Sequence, residues 1–279
     1  MRKLGLIAGS GPVPIALAKH CQSAGRGLFV ARLKGMAGTE LAQFPNIEVG
    51  INELGKLFKA LKSNDCEAIC MVGGVERPDF RTLVPDMRGL RFLPTLAMAA
   101  RRGDDALLRA LVDEFESEGF IVEGAHEVMG ELTLPEGALG RHVPNESHRA
   151  DISRAMQVAR ALGRLDVGQG AVACDGLILA VEAQEGTDAM LRRVAELPES
   201  IRGVPGHPRG VLAKAPKPIQ DTRVDMPTIG PFTLQRVARA GLAGIAGETG
   251  KVLVMDRAEV IHMADELGLF VVGVAPDGG

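Results

Sequence analysis

Tryptophan and tyrosine are absent from this 279-residue sequence, and aromatic residues make up only 3% of it. Proteins that bind single-stranded nucleic acid stack the bases on aromatic side chains, so the sequence argues against that class. The charge is also nearly balanced, with 32 Lys and Arg against 35 Asp and Glu. Duplex DNA or RNA requires a basic surface, and we therefore expect no nucleic acid as a partner.

Disulfide, targeting and membrane-spanning signals are lacking too. The four cysteines form no C-x-x-C pair, which predicts reduced thiols and a cytoplasmic protein. The start is basic and then apolar, but glycine and proline interrupt the apolar run at once, so we predict no signal peptide. No apolar run approaches the ~20 residues that a spanning helix needs. We expect a soluble protein that could still rest on a membrane.

Several catalytic signatures are missing. The six histidines form no H-x-H or H-x-x-x-H pair, which argues against a histidine-rich dimetal phosphoesterase or a zinc hydrolase. There is no G-x-S-x-G elbow and no G-x-x-x-x-G-K-[ST] loop.

The first half alternates strands with helices. Five stretches have the short apolar pattern of strands, namely "KLGLIAG", "GLFVARL", "NIEVGI", "EAICMVGGV" and "GFIVEG". This alternation predicts a Rossmann-like, mainly parallel sheet with helices on both faces, over residues 1–135. Glycine and proline then cluster between Met129 and Glu146, where we place the domain boundary.

Residues 146–279 are predicted to form a separate α/β domain. An amphipathic helix covers Arg149–Leu162. "AVACDGLILAVEA" predicts a hairpin that turns at Cys174–Gly176, through an Asp-Gly pair. A helix reaching Leu197, a strand at "GVLAKAP" and a βαβ-like tail complete an α/β fold of two domains, with the active site expected between them.

Two glycine turns follow predicted strands in the first half. Gly9, Ser10 and Gly11 lie between the first strand and its helix, where glycine lets the backbone approach a phosphate. A dinucleotide fingerprint would place a third glycine at position 14, which is Pro14. A phosphate-binding turn and a merely tight turn both remain open.

The second glycine turn is "MVGGVERP". Gly73 and Gly74 end another predicted strand, so two strand ends could line one crevice. Arg77 follows them and could either pair with a phosphate or face solvent.

"VEAQEGTDAMLRR" is the third candidate. A strand delivers Glu182 and Glu185, and Thr187 or Asp188 is predicted to cap the following helix. Such a helix start could be structural alone. It could also bind phosphate oxygens, while Glu185 or Asp188 holds a hard cation.

"KAPKPIQDTRVDMP" is the fourth candidate. Lys214 and Lys217 stand on a proline-stiffened loop that suits phosphate. If the following residues are extended, Asp221, Arg223 and Asp225 share one face, with the aspartates about 13 Å apart. One carboxylate with waters and substrate phosphate would then bind Mg²⁺, unless the three residues only form a surface ion-pair ladder.

Seven segments together carry a resemblance to a known family. They are "GLIAGSGPVP", "VGGVERPD", "GDDALLRALV", "GRLDVGQGAV", "AVEAQEGTDAMLRR", "LAKAPKPIQDTRVDMPTIGP" and "GLAGIAGETG". In this order, from about residue 4 to 273, the chain resembles the UDP-2,3-diacylglucosamine pyrophosphatases of the lipid A pathway, the LpxI type, in their alphaproteobacterial form.

The resemblance implies a two-domain, Mg²⁺-dependent enzyme. It would hydrolyse UDP-2,3-diacylglucosamine to UMP and 2,3-diacylglucosamine 1-phosphate (lipid X), with water attacking the sugar-side phosphorus. The "RVDMPT" motif carries over Asp225 as the main metal-binding or water-activating carboxylate. It also implies a cytoplasmic protein, with peripheral contact at the inner membrane left open; a homodimer is only a base-rate expectation.

The remaining roles are inferred from residue chemistry. We expect Asp188 or Glu185 to join Asp225 at the metal. Further catalytic groups are expected to be Thr187, Lys214 and Arg223. The expected substrate-binding residues are Gly9, Ser10, Gly11, Gly73, Gly74, Arg77, Lys217 and Gln220.

Two other classes remain as alternatives. A nicotinamide- or flavin-dependent oxidoreductase would use the first glycine turn, but the missing third glycine counts against it. A non-catalytic lipid or nucleotide carrier would explain the apolar content but not the clustered charges of the fourth candidate.

Overall fold

The computed structural model describes residues 1–75, 85–218 and 220–276, which form two compact units. The first unit comprises the described residues of Met1–Gly130 and Asp221–Asp225, and the second those of Glu131–Gln220 and Met226–Gly279. Along the chain the first unit ends at Gly130, near the predicted boundary. The return of residues 221–225 to the first unit has no counterpart in the predicted division.

A five-stranded parallel sheet forms the centre of the first unit, as the strand–helix alternation predicts. Its strands are β1 Leu4–Ala8, β2 Leu28–Leu33, β3 Asn46–Val49, β4 Ala68–Val72 and β5 Ile121–Val122. They lie in the order β3-β2-β1-β4-β5, and every pair is parallel. This is the order of a Rossmann sheet, in which the direction of winding reverses between β1 and β4.

In the described part of the first unit, five helices connect or follow these strands. They are α1 Val13–Ser23, α2 Leu54–Ser63, α3 Met87–Ala100, α4 Asp104–Ser117 and α5 Ala125–Val128, with a short 3₁₀ helix at Thr39–Gln43. Helix α3 was not predicted from the sequence. No helix in the described part of the chain is both long enough and apolar enough to cross a membrane.

Both faces of the central strand β1 are buried, which explains its uninterrupted apolar sequence. On one face Ile7 and Phe29 belong to a cluster with Phe58 of α2 and Phe115 of α4. Alternate positions such as Leu6 point to the other face and are also buried, where α1 contacts β1 and β2.

The second unit is built on a mixed sheet. Its elements are a 3₁₀ turn at Gly130–Leu132, β6 Gly137–Leu139, α6 Glu146–Arg164, β7 Gly170–Cys174, β8 Leu177–Val181, α7 Gly186–Ala195, β9 Val211–Lys214, β10 Thr228–Ile229, α8 Pro231–Arg239, β11 Gly244–Glu248, β12 Leu253–Val254, α9 Arg257–Leu267 and β13 Phe270–Val274. Six strands lie in the order β6-β13-β11-β9-β7-β8, and β10 pairs with β12 separately. β9, β11 and β13 are parallel, whereas β6 and β7 run the other way.

Small side chains let α6 approach one face of this sheet closely. Ala171, Ala213 and Ala246 of the strands lie in one buried cluster with Ala155 and Ala159 of the helix. The opposite face packs against α7, α8 and α9 through leucine, isoleucine and valine. The sheet is therefore covered on both sides, and its polar groups are concentrated at the strand ends.

The predicted hairpin between β7 and β8 is confirmed. Asp175 and Gly176 both have positive φ, 50° and 79°, as a tight Asp-Gly hairpin turn requires. Both turn N–H groups donate to the buried Asp151 carboxylate of α6, at 3.1 and 2.8 Å. Asp151 therefore stabilises the turn and ties the hairpin to α6.

Candidate active site

The carboxyl ends of β1 and β4 lie side by side in the first unit. The Ser10 N–H donates to the Gly74 carbonyl at 2.9 Å, and the Gly74 N–H donates to the Ser10 carbonyl at 2.9 Å. The Ser10 hydroxyl also donates to the Gly74 carbonyl, at 3.0 Å. The two glycine turns are thus joined directly, while Arg77 lies outside the described residues.

The glycines of these turns are needed where the turns approach each other. A Cβ at Gly9 would lie 2.5 Å from the Gly74 carbonyl oxygen, and one at Gly73 would lie 2.6 Å from the Ser10 carbonyl oxygen. Gly11 differs, because its φ of +95° favours glycine but a Cβ there would meet no atom within 4 Å. The close backbone approach is therefore between the two turns, which favours a tight structural turn at Gly9 and Gly73.

The same hydrogen bonds limit what the turn can offer an anion. Gly9, Ser10 and Gly74 each use their N–H in a backbone hydrogen bond. Pro12 and Pro14 have no N–H, so two donors are missing from the start of α1. A phosphate at this turn would find fewer donors than the glycine pattern suggests.

The second sheet carries buried charges at one edge. β8 runs in the same direction as β9, β11 and β13, because each of β8 and β9 is antiparallel to β7. Glu182 follows β8, Lys214 ends β9 and Glu248 ends β11, and all three residues are at least 94% buried. Burying charge is costly unless it is paired, and the carboxyl ends of strands are where α/β sheets bind ligands.

Lys214 is held by a defined hydrogen-bond network. Its Nζ donates to the Thr187 hydroxyl and to the Thr228 carbonyl, both at 3.0 Å. The Thr187 hydroxyl in turn donates to Glu182 Oε1 at 3.0 Å. A hydroxyl can accept from an ammonium and donate to a carboxylate at once, so Thr187 links the cation to the anion. Lys214 and Thr187, both proposed from the sequence, are thus brought together.

Glu182 is a candidate that sequence reasoning did not select. Its Oε2 atom is buried and has no hydrogen-bond partner among the described residues. Gly168 and Gly170 face this residue so closely that a Cβ at either position would collide with it. A buried carboxylate oxygen without a donor is costly, and a catalytic role is one explanation for such an atom. The nearest sequence signal was the "GQG" triplet, in which Gly168 makes room for the Glu182 backbone carbonyl and Gly170 for its carboxylate.

Glu185 and Asp188 occupy different positions from those predicted. Glu185 itself is the N-cap of α7 and makes no side-chain cap hydrogen bond, so the prediction that Thr187 or Asp188 caps the helix is wrong. Glu185 pairs with Arg193, and Asp188 pairs with Arg236 at 3.0 Å. Backbone N–H donation at the helix start, mainly from Glu185 itself, and Arg193 lower the pKa of the Glu185 carboxyl. A metal ion at either carboxylate would compete with an arginine.

Lys217 and Gln220 fix the loop that follows β9. The Lys217 ammonium pairs with Asp166 at 2.7 Å, and its backbone N–H donates to Gln220 Oε1 at 3.1 Å. Gly163 of α6 permits this approach, since a Cβ there would lie 3.1 Å from the Lys217 Cα. The loop is thus attached to the end of α6, and Lys217 already has a carboxylate partner.

Residues 221–225 form a turn, so the supposition that they are extended, on which the shared face of Asp221, Arg223 and Asp225 depended, does not hold. The Arg223 N–H donates to Asp221 Oδ1 at 3.0 Å, and the Asp225 N–H donates to the Asp221 carbonyl at 3.1 Å. The Asp221 side chain therefore replaces strand hydrogen bonding with a local turn, as aspartate often does. The three residues do not alternate along one face of a strand.

The Arg223 guanidinium is compensated within the first unit. It pairs with Asp221 and with Glu116 of α4, both at 2.7 Å. The hydrogen bonds with Asp221 raise the pKa of Arg223 and lower the pKa of Asp221. Of the predicted ion-pair ladder the structure shows the Asp221–Arg223 pair, whereas Glu116 is a partner that the ladder did not include. Arg223 would have to exchange partners to bind a phosphate.

The donor set for a divalent cation can be compared with these contacts. Within the described ranges, no three His, Cys, Asp or Glu side chains converge to form a metal-binding group. Mg²⁺ usually takes one or two protein carboxylates and completes its shell with water and substrate phosphate. A single carboxylate in that mode is what the motif suggests for Asp225, whereas a metal ion at Glu185 or Asp188 would have to displace Arg193 or Arg236.

Comparison with known proteins accounts for both units. Residues 3–132 match the LpxI N-terminal domain and residues 135–272 match the LpxI C-terminal domain. A curated relative from Caulobacter vibrioides is 63% identical over 276 residues, which is 99% of each chain. That relative is named UDP-2,3-diacylglucosamine pyrophosphatase LpxI. The chain described here therefore belongs to the LpxI family.

Proposed function

We propose that this chain hydrolyses the pyrophosphate of UDP-2,3-diacylglucosamine to UMP and 2,3-diacylglucosamine 1-phosphate (lipid X), in the cytoplasm and as a step of lipid A synthesis. The observation that carries the proposal is the 63% identity, over 99% of both chains, to a pyrophosphatase named for that substrate. The likeness extends through both units, so it is not confined to a shared nucleotide-binding fold.

The buried edge of the second sheet supports this chemistry. A pyrophosphate carries negative charges that increase on its oxygens as water attacks, and fixed cations stabilise that charge. Lys214 is the best-placed donor because Thr187 and the Thr228 carbonyl fix its ammonium group before substrate arrives. Lys217 would serve as a second donor after releasing Asp166.

Asp225 is proposed as the carboxylate that holds Mg²⁺ and orients the attacking water. A carboxylate in this role accepts a hydrogen bond from the water and directs its lone pair at the sugar-side phosphorus. Mg²⁺ would supply charge neutralisation at the phosphate oxygens when bound. The turn formed by Asp221 restricts the backbone at Asp225, which lowers the entropy lost on binding.

The nucleotide half of the substrate is assigned to the first unit. Rossmann sheets bind nucleotides beside the carboxyl ends where the strand order reverses, here between β1 and β4. Gly11 is the residue of the first turn with open space around it, so it is the best candidate for close approach by the ligand.

Asp225→Ala tests the proposal, with Asp188→Asn as a matched control on another proposed metal ligand. Purified protein with UDP-2,3-diacylglucosamine and Mg²⁺ should release UMP, and Asp225→Ala should lower turnover by about 10³-fold. Asp188→Asn should change it only a few-fold, because it breaks an exposed ion pair with Arg236. Near-normal turnover by Asp225→Ala would refute the proposed role.

Hydrolysis in ¹⁸O-water locates the attack independently. We expect the label in the phosphate of the acylated sugar product. Label found only in UMP would exclude attack at the sugar-side phosphorus. A wild-type protein without UMP release would refute the proposed function itself.

A further inference from the structure

Helix α3 carries an apolar stripe on its outer surface. Met87, Leu90 and Met98 are 74%, 56% and 65% exposed, and Pro94 between them is also exposed. At 100° per residue, positions 87, 94 and 98 lie within about 40° of each other around the helix. The stripe therefore runs along most of a helix about 21 Å long.

The charged residues of α3 and of the two positions after it have one sign. Residues 87–102 contain four arginines and no acidic residue, in a chain whose net charge is −3. Arg91, Arg101 and Arg102 are exposed; Arg91 lies about 20° from Met98 around the helix, and Arg101 and Arg102 follow its last turn. No ion pair found within the described residues involves these three arginines.

The inner face holds the helix without help from the stripe. Phe92 is buried, and Arg88 pairs with Glu114 and Glu118 of α4 while its guanidinium lies 4.1 Å from the Phe58 ring centroid. Asp86 caps the first turn by accepting from the Gly89 N–H at 2.8 Å. The exposed methionines and leucine are therefore not needed to attach α3 to its unit.

We propose that the outer face of α3 docks on an anionic lipid surface. A helix that lies on a bilayer inserts an apolar stripe among the acyl chains while flanking cations contact lipid phosphates. The long, flexible side chains of Met87, Leu90 and Met98 suit a fluid surface. The positive charge extends to Arg101 and Arg102 at the end of the helix, which complements a continuous anionic plane better than one pocket.

This docking goes beyond the proposed hydrolysis and does not rest on it, because vesicle binding is measured without substrate. Purified full-length protein is mixed with vesicles of phosphatidylglycerol and phosphatidylethanolamine, or of phosphatidylcholine alone, and separated by flotation. We expect binding to the anionic vesicles only, weakening as salt is raised. Arg91→Gln with Arg101→Gln should lower the partition coefficient about 25-fold, at about fivefold for each arginine.

The apolar stripe is tested by Leu90→Ser with Met98→Ser, which should lower binding at least about 10-fold. Phe232→Ser on α8 is the matched control, since Phe232 is 74% exposed but belongs to the second unit. It should leave vesicle binding unchanged. All of these positions are exposed, and circular dichroism with thermal melting checks that the variants remain folded.

Three results would overturn the proposal. One is equal binding to anionic and neutral vesicles, and another is wild-type binding by the Leu90→Ser, Met98→Ser protein. In the third, neither the wild-type protein nor the Leu90→Ser, Met98→Ser variant binds vesicles, and the wild-type protein has the mass of a dimer while the variant has the mass of a monomer. It would show that α3 contacts a second copy of the chain.

Discussion

The carboxyl edges of the two sheets solve different physical problems. At the first edge, two glycine turns meet through backbone hydrogen bonds, and the Ser10 hydroxyl donates across the same junction. At the second edge, the ionisable side chains of Lys214, Glu182 and Glu248 are buried. The close packing of the first edge requires glycine, which has no side chain. The second edge instead buries polar side chains, at a cost in free energy. Chemistry is therefore expected to depend on the second edge and stability on the first.

Lys214→Met should produce the largest effect at the second edge. It retains the length of the side chain but removes the ammonium that Thr187 and Thr228 hold. We expect turnover to fall by about 10²–10³-fold, since fixed donors at a developing anion contribute that much. Steady-state kinetics with UDP-2,3-diacylglucosamine provides the measurement.

Lys214→Arg is the matched control, because it keeps the charge and changes the geometry. It should recover only part of the lost turnover, since a planar guanidinium does not reproduce the ammonium contacts. Near-wild-type turnover by Lys214→Met would instead show that the buried edge is structural.

Thr187→Val should have an intermediate effect on the same network. It removes the hydroxyl that links Lys214 to Glu182 at nearly constant volume. We expect kcat to fall about tenfold with little change in KM, and Thr187→Ser to retain most activity, because positioning of the ammonium depends on the hydroxyl.

Glu182→Gln, made in the wild-type protein and in the Thr187→Val variant, shows whether the carboxylate acts through Thr187. In the wild-type background it should lower kcat, and in Thr187→Val it should add little, because contacting residues are not additive. Equal losses in the two backgrounds would contradict the linkage. A loss of melting temperature without a loss of kcat would assign Glu182 to folding alone.

Substitutions at the first edge should have the smallest effect on catalysis and a clear effect on the free energy of unfolding. Gly73 and Gly11 have almost the same φ, +94° and +95°, but only Gly73 is crowded by backbone. Gly11→Ala should lower the free energy of unfolding by about 1 kcal/mol, through backbone strain. Gly73→Ala should lower it by about 2–4 kcal/mol because a collision is added to the same strain.

Urea denaturation measures this difference directly. Equal losses for the two variants would show that the turns do not press on each other. If Gly11→Ala instead raises KM for the substrate more than Gly73→Ala does, the open position of Gly11 contacts the ligand.

Structural features that depend on a short stretch of residues could be predicted from the sequence. Apolar runs predicted the strands of the first sheet, and the Asp-Gly pair predicted the hairpin of β7 and β8. Prediction from the sequence failed at Asp221, because alternation alone cannot distinguish a strand from a turn stabilised by an aspartate side chain. Helix α3 was also missed, since its interior proline and exposed apolar stripe obscure the usual amphipathic pattern.

The candidate site shows a second limit of sequence reasoning. Lys214, Thr187 and Asp225 were selected by residue type and motif, but Glu182 was passed over. Its importance depends on contact with Thr187 and on the glycines opposite, which only the fold brings together. Likewise, Arg193 and Arg236 pair with Glu185 and Asp188. No rule of sequence spacing specifies these pairs.

The return of residues 221–225 to the first unit has a consequence for how the chain can be divided. Val224 packs against the hydrophobic cluster of that unit, and Arg223 lies against Gly124, where a Cβ would come within 3.0 Å of the Arg223 Cα. A polypeptide that ended at Gly130 would lack residues 221–225, which are synthesised later. We therefore expect the first unit to complete its folding only after residue 225 has emerged from the ribosome. Its folding would be completed late in synthesis rather than as soon as Gly130 has emerged.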